Sequence, residues 1–261
     1  MGTFADYLEA LHRNRALFRE ANPSVYAAFE VSVQAFDRLA RQLRDGRDAN
    51  GKTHVSLGPL FFIFQRQAMA AYVALASNQA FIAWGLIRTG IGAALVIGKW
   101  VDDKANADVW SDRDSNRKAY AALYQGKALQ STGLAGSDRI QAALARINDL
   151  FLHPNPSYYY RHLELNELAD GATEMKLNFF DEPVDTDVGV LGVLHLVVFV
   201  QDALAQMFAS LFRCQRLEVG LRSLEAMAGG WAQSTMLKGP GIKTALIELG
   251  IWPDLTARSS T

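Results

Sequence analysis

One cysteine, Cys214, stands among the 261 residues of this chain. A single thiol excludes an internal disulfide and most cysteine-based metal sites. It fits a reducing compartment, and the cytoplasm is the expected location. Neither sign of charge is in excess. The 26 basic and 27 acidic residues leave a formal net charge of −1, and no block of like charge stands out. The electrostatic footprint of a DNA-binding or anionic-membrane-binding protein is therefore missing. No DNA partner is expected, and RNA remains open only as a small local site. The opening residues, MGTFADYLEALHRNRALFRE, lack the apolar stretch of a secretory signal. Asp6 occupies the position where a myristoylation site after Gly2 needs Ser or Thr.

Long uninterrupted apolar runs are also lacking. Ala80–Gly98 carries Arg88 at its centre, and an arginine there costs about 2.5–3.5 kcal/mol in a bilayer. Val188–Phe212 contains His195, Gln201, Asp202 and Gln206. Neither offers about 18 unbroken apolar residues, so both are expected as buried helices of a soluble protein with no membrane partner. The chain has no G-x-x-x-x-G-K-[ST], no G-x-G-x-x-G between strand and helix, no G-x-S-x-G, no H-E-x-x-H and no C-x-x-C. No cofactor is implied. No internal repeat is present.

Helical periodicity is what the sequence has in abundance. Phe4, Leu8, Leu11, Ala16 and Phe18 recur at helical spacing, and Asn22-Pro23-Ser24 breaks that helix, with Ser24 suited to cap the next. Tyr26, Phe29, Val33, Phe36, Leu39 and Leu43 then mark a buried face over Val25–Leu43. Leu60–Trp100 is too long for one globular helix and is split near Ser77-Asn78-Gln79. Within it Gly85, Gly90, Gly92 and Gly98 read as close helix contacts, since glycine in a helix interior costs up to about 1 kcal/mol. Arg117–Leu129 returns to helix, and Ser137 or Asp138 caps Arg139–Leu152, which Pro154 and Pro156 end. Val188–Leu221 is a long apolar helix, ended at the latest by Gly229-Gly230. Two alternating runs, Arg161–Leu165 and Met175–Phe179, flank Asp170-Gly171 and suggest a β-hairpin. A helix through Tyr158–Leu168 competes for the same residues. The expectation is an all-α protein: one helical domain over 1–261, with a helical hairpin of residues 1–50 packing on a bundle of residues 60–250, and a small β-hairpin insert near 159–180.

Chemistry concentrates in Leu150–Leu165, LFLHPNPSYYYRHLEL. Arg146 and His153 are seven positions apart. On a continuous α-helix that is close to two turns, so they share a face. An arginine that forks onto a phosphate beside a histidine that moves protons near neutral pH suits phosphodiester cleavage. The plainer alternative is a solvated Arg146 and a His153 favoured by the helix C-terminus. His153, His162 and His195 match no compact metal motif, even with Glu164 or Asp149 added, so no metal site is expected. Arg88 needs a partner if buried, and Asp202 in the other apolar helix is the candidate; otherwise it reaches solvent. Trp84, Trp100, Trp110 and Trp231 with Tyr158, Tyr159 and Tyr160 are candidates for an aromatic pocket, with Arg88 and His162 beside it.

Two blocks, LIRTGIGAALVIGKW within Gln79–Trp100 and LFLHPNP, resemble a group of bacterial and phage helical proteins without an assigned function. These pair an apolar helix bearing R-T-x-x-E with a later H-P-x-P. Arg88 and Thr89 match, and Gly92 stands where that group has Glu. The Arg146/His153 pair is also similar to the R-x4-6-H hallmark of the HEPN superfamily, helical bundles that are often dimeric and often RNases. That resemblance implies a metal-independent RNase, with Arg146 holding the scissile phosphate and His153 as acid or base, and only then an RNA partner. Three readings follow: a non-catalytic module acting through a homo-oligomer (a dimer) or another protein partner, the HEPN-like RNase, and a small-ligand binder.

Overall fold

The computed structural model describes residues 3–152, 163–169, 171–181 and 183–219. Among them the architecture is mainly α-helical with one small β-hairpin, as the periodicity predicts. Helix α1 (Phe4–Ala21) opens on a capping box in which Thr3 and Asp6 satisfy each other's backbone N–H groups. Helix α2 (Pro23–Asp45) follows at once. Pro23 takes its first turn, where the missing N–H has no partner to lose. The cap position therefore belongs to Asn22 and not to the expected Ser24.

Helix α2 contributes to the core. Val25, Ala28, Phe29, Ala35, Phe36, Leu39 and Leu43 are buried along its length, and it lies in the core between helix α3 (Gly58–Ala76) and α8 (Pro183–Phe212), the last helix among the described residues. One polar network crosses this core. The Ser32 and Tyr72 hydroxyls lie 2.7 Å apart, Ser32 Oγ donates to Gln201 Oε1, and Gln201 Nε2 donates to the Ser32 carbonyl at 2.9 Å. Helix α1 sits outside and buries Phe18 against the core, and two hydrogen bonds add to that contact. Gln79 Nε2 donates to the Tyr7 hydroxyl at 2.6 Å, and Asn14 bonds the Ser77 carbonyl.

Helix α4 (Ala80–Asp102) runs back along α3 after a break at Ser77-Asn78-Gln79. Asn78 adopts φ 58° there, the left-handed region that asparagine tolerates. Asp181 joins this corner from afar. Its carboxylate accepts from the Ala80 N–H at 2.6 Å, and its own N–H donates to the Asn78 carbonyl. Both α4 and α8 are long and apolar enough to cross a membrane, and the relevant stretches are 61% and 89% buried against other helices, as core helices are.

Close approach explains two of the four glycines singled out above. A Cβ on Gly90 would lie 3.1 Å from Phe64 of α3, and one on Gly98 would lie 2.6 Å from Ser131 Oγ. Gly92 is different: a Cβ there meets nothing within 4 Å.

Past α4 come two short helices, α5 (Ala105–Ser111) and α6 (Arg117–Tyr124), then a 3-10 turn over Gly126–Leu129. Helix α7 (Ser137–Ile147) starts after Gly136, so neither Ser137 nor Asp138 is its cap. The Ser137 hydroxyl instead ties the loop below it, donating to the Ser131 carbonyl and accepting from the Ser131 N–H. From Asn148 to Leu152 the chain leaves α for π geometry. Strands β1 (Leu163–Glu167) and β2 (Thr173–Leu177) pair antiparallel, with Leu163 opposite Leu177 and Leu165 opposite Met175 on one face. This replaces the competing helix over those residues. The other face carries Glu164, which accepts from Lys176 at 3.0 Å and from Asn178 at 2.8 Å. Helix α8 ends at Phe212, nine residues before the expected Leu221, because Arg213 turns into the left-handed region at φ 49°.

Candidate functional site: a groove along helix α4

One side of α4, exposed at Arg88 and Thr89 and buried at Ala93 and Val96, forms the floor of a groove of about 530 Å³. Arg88, Thr89, Gly92, Ala93 and Val96 recur at helical spacing along it, so one stripe of a single helix runs the length of the cleft. Leu60 and Ile63 of α3 border the floor, and Gln141, Leu144 and Ala145 of α7 form one wall. The opposite wall is aromatic. Trp110 on α5 meets Tyr124 edge to face with centroids 5.2 Å apart, and Tyr120 stacks on Tyr124 at 5.3 Å. A pair at i and i+4 on α6 faces the same way, which is why two tyrosines one turn apart make one surface.

This wall is braced from behind. Trp100 Nε1 donates to the Tyr124 hydroxyl at 3.1 Å, and that hydroxyl donates to the Asn106 carbonyl at 2.5 Å. Burial pushes the Tyr124 phenol above its usual pKa, so it stays a neutral donor. Asn106 in turn donates to the Lys99 carbonyl at the end of α4. The end of α4 is also tied to the following loop. The Asp102 carboxylate accepts from the Thr132 N–H, the Thr132 hydroxyl and the Gly133 N–H, the last at 2.6 Å.

At the opposite end of the groove Arg88 Nε donates to Asn148 Oδ1 at 2.5 Å. Asn148 is the first residue of the π segment, and the next turn of that segment places Phe151 flat on Trp84 of α4, with ring centroids 4.8 Å apart and planes 8° apart. The wider turn thus docks on α4 through one polar and one aromatic contact. The Arg88–Asp202 pair expected from the sequence does not form. Arg88 lies on the exposed side of α4, and Asp202 pairs with Arg216 at 2.6 Å. The reason is rotational: Arg88 and Thr89 fall outside the buried stripe of Trp84, Ile87 and Ile91 that faces the core. Among the described residues no carboxylate pairs with Arg88.

The remaining candidates fall in different places. Trp84 is a core residue, 3% exposed, and does not line the groove. Trp100 stands behind the aromatic wall, one hydrogen bond away from it. Arg146 is exposed on α7, off the face that Gln141, Leu144 and Ala145 present to the groove. His153, Tyr158, Tyr160 and His162 lie outside the described residues. The continuous α-helix assumed for the Arg146/His153 pair stops at Ile147. Turns of 3.6 residues therefore do not describe Asn148–Leu152. His195 is 3% exposed in the core of α8, and burial lowers its pKa from 6.5 to about 4, so it is a neutral core residue. No cluster of metal-ligating side chains occurs among the described residues.

The sequence reading missed Tyr120, Tyr124 and Asn148; Trp110, one of its candidates for an aromatic pocket, lines the groove. The available signal was the Tyr120/Tyr124 spacing ten residues after Trp110, together with a glycine on a polar-flanked stripe of α4. No family model, no curated protein and no solved structure matches this chain, so the reading of the groove rests on its own residues.

Proposed function

We propose that this chain is a binding protein whose groove along α4 takes a small ligand with an apolar body. The observation that carries this is the groove itself. It is about 530 Å³, within the roughly 300–1,000 Å³ of small-molecule sites, with a floor that is apolar beyond Arg88 and Thr89, an aromatic wall, and Gln125, Gln141 and Asn148 as further polar groups. The wall is held by a chain of hydrogen bonds through Trp100, Tyr124, Asn106 and Lys99 rather than by packing alone. A pre-formed wall lowers the ordering cost of binding. Indole is a suitable first probe because it is neutral, planar and apolar. Titrated into labelled protein, it should shift backbone resonances at Gly92, Ala93 and Tyr124, and Gly92→Leu should abolish those shifts by filling the cleft. Shifts scattered over the surface, or unchanged by Gly92→Leu, overturn the reading.

A second reading, an interaction module that pairs with a second copy of itself, is favoured by the outer face of α3. Phe62, Met69 and Val73 lie in line there at 60%, 43% and 51% exposure, with the exposed Arg66 between Phe62 and Met69. An apolar stripe of this kind covers itself when two copies of α3 cross about a two-fold axis. Light scattering after size exclusion should then give a dimer that Met69→Lys reduces to a monomer; a parent monomer at high concentration overturns it.

A further inference from the structure

We infer that the groove along α4 selects amphipathic monocarboxylates, with Arg88 receiving the carboxylate and the Trp110, Tyr120 and Tyr124 wall receiving an apolar, ring-bearing end. The inference rests on the groove being a ligand site and adds the chemical class of its occupant.

Charge is the first argument. Among the described residues that line the groove, Arg88 is the one cation and none is acidic. A guanidinium at the mouth of an apolar cleft, without a carboxylate from the described residues, favours an anion supplied from outside. The second argument is local geometry. Asn148 holds Nε, one edge of the guanidinium, at 2.5 Å. A carboxylate engages the adjoining pair of terminal nitrogens side by side, and a plane already fixed at Nε loses less freedom on meeting it. The third is Gly92, one helical turn beyond Arg88. An acidic side chain at i+4 would pair with Arg88 within α4 itself. Glycine supplies none, and the space where that side chain would extend is open.

Length sets the class further. Arg88 to Val96 spans eight residues of helix, roughly 12 Å at 1.5 Å per residue. The floor between these ends is Gly92, Ala93 and Val96, with Leu60, Ile63 and Leu144 beside it, all without charge. A molecule that fills it has its acid group at one end, an aliphatic middle and a flat apolar end to lie on Tyr120 and Tyr124. Aryl-alkanoic acids meet that description. Dicarboxylates and sugar phosphates do not, since a second carboxylate or the sugar's hydroxyls would fall on the uncharged floor and lose hydration without a partner.

The test compares phenylbutyrate with phenylbutanol, which keeps the ring and spacer and removes the charge. Calorimetric titration of the full chain should give the acid the tighter binding, by roughly three- to tenfold at low salt, the range expected of a partly exposed charge-assisted pair. Arg88→Met should erase that preference, bringing acid and alcohol to the same affinity. Gly92→Glu should weaken the acid more than the alcohol, because it supplies Arg88 with an internal carboxylate. Gly92→Leu should remove both. Equal binding of acid and alcohol, insensitive to Arg88→Met yet lost in Gly92→Leu, overturns the carboxylate assignment and leaves the groove as a ligand site. Binding of neither, or binding of both that survives Gly92→Leu, overturns the groove reading itself. Arg88 is exposed, and glycine is the poorest non-proline helix former, so all three variants are expected to fold; helix content by circular dichroism checks it.

Discussion

His195 makes the stability of this protein depend on pH in a way that one substitution removes. Its ring is 3% exposed in α8, and desolvation lowers its pKa from 6.5 to about 4. In the unfolded chain the same imidazole titrates near its ordinary value. Above about pH 6.5 both states are neutral and the residue contributes no pH dependence. Between about 6.5 and 4 the unfolded state holds a proton that the folded state refuses, so stability falls as pH falls, by about 1.4 kcal/mol per unit. At pH 4.5 the accumulated loss is about 2–3 kcal/mol. His195→Leu keeps an apolar, buried side chain there and has no proton to bind. Carboxylates also titrate across this range, but they are common to parent and variant and cancel in the difference. The assay is urea unfolding of both proteins at pH 7.5 and 4.5. The parent should lose about 2–3 kcal/mol more than His195→Leu between the two conditions, equivalent to roughly 5–10 °C in Tm for a chain of this size. Parallel pH dependences would refute the reasoning, because they would mean that the folded protein protonates His195 as readily as the unfolded chain does.

Three further outcomes follow from the packing. Gln201→Leu should cost about 1–3 kcal/mol by leaving the Ser32 hydroxyl short of a partner, and adding Ser32→Ala and Tyr72→Phe should recover most of it, since replacing a whole polar network by apolar groups is far cheaper than breaking one member; urea titration reads both. Gly98→Ala should destabilise by about 1–3 kcal/mol despite the better helix former, because its Cβ would lie 2.6 Å from Ser131 Oγ in a loop tied down by Ser137 and Asp102; a Tm equal to or above the parent's would show that the loop yields. Arg88→Met should change stability by no more than about 0.5–1 kcal/mol, as an exposed residue does; a loss of 3 kcal/mol or more would mean a buried charge pair after all.

The helices were legible because their causes are local. A stripe at positions three and four apart, an Asn-Pro break after α1 and a polar Ser-Asn-Gln corner between α3 and α4 act within a few residues, and each element stands close to where those signals fall. The hairpin was legible for the same reason, as two alternating runs around Gly171. Errors arose where a local signal had a rival nearby: Ser24 against Asn22, two residues away, Ser137 against Gly136, one away, and a helix end at Leu221 against a left-handed Arg213 eight residues earlier. The groove was not legible, because its parts come from α3, α4, α5, α6 and α7 and no spacing in the sequence relates them. Periodicity identified Arg88 as an anomaly in an apolar helix, but a one-dimensional pattern gives the angle of a residue only relative to its own helix. Which side of α4 faces the core was decided by packing against α3 and α8, and that choice turned Arg88 outward to Asn148 and left Asp202 to Arg216. Gly92 shows the same division. The sequence states that it lacks a side chain, and only the placement of neighbouring helices determines whether that absence brings two backbones together, as at Gly90 and Gly98, or leaves an open space.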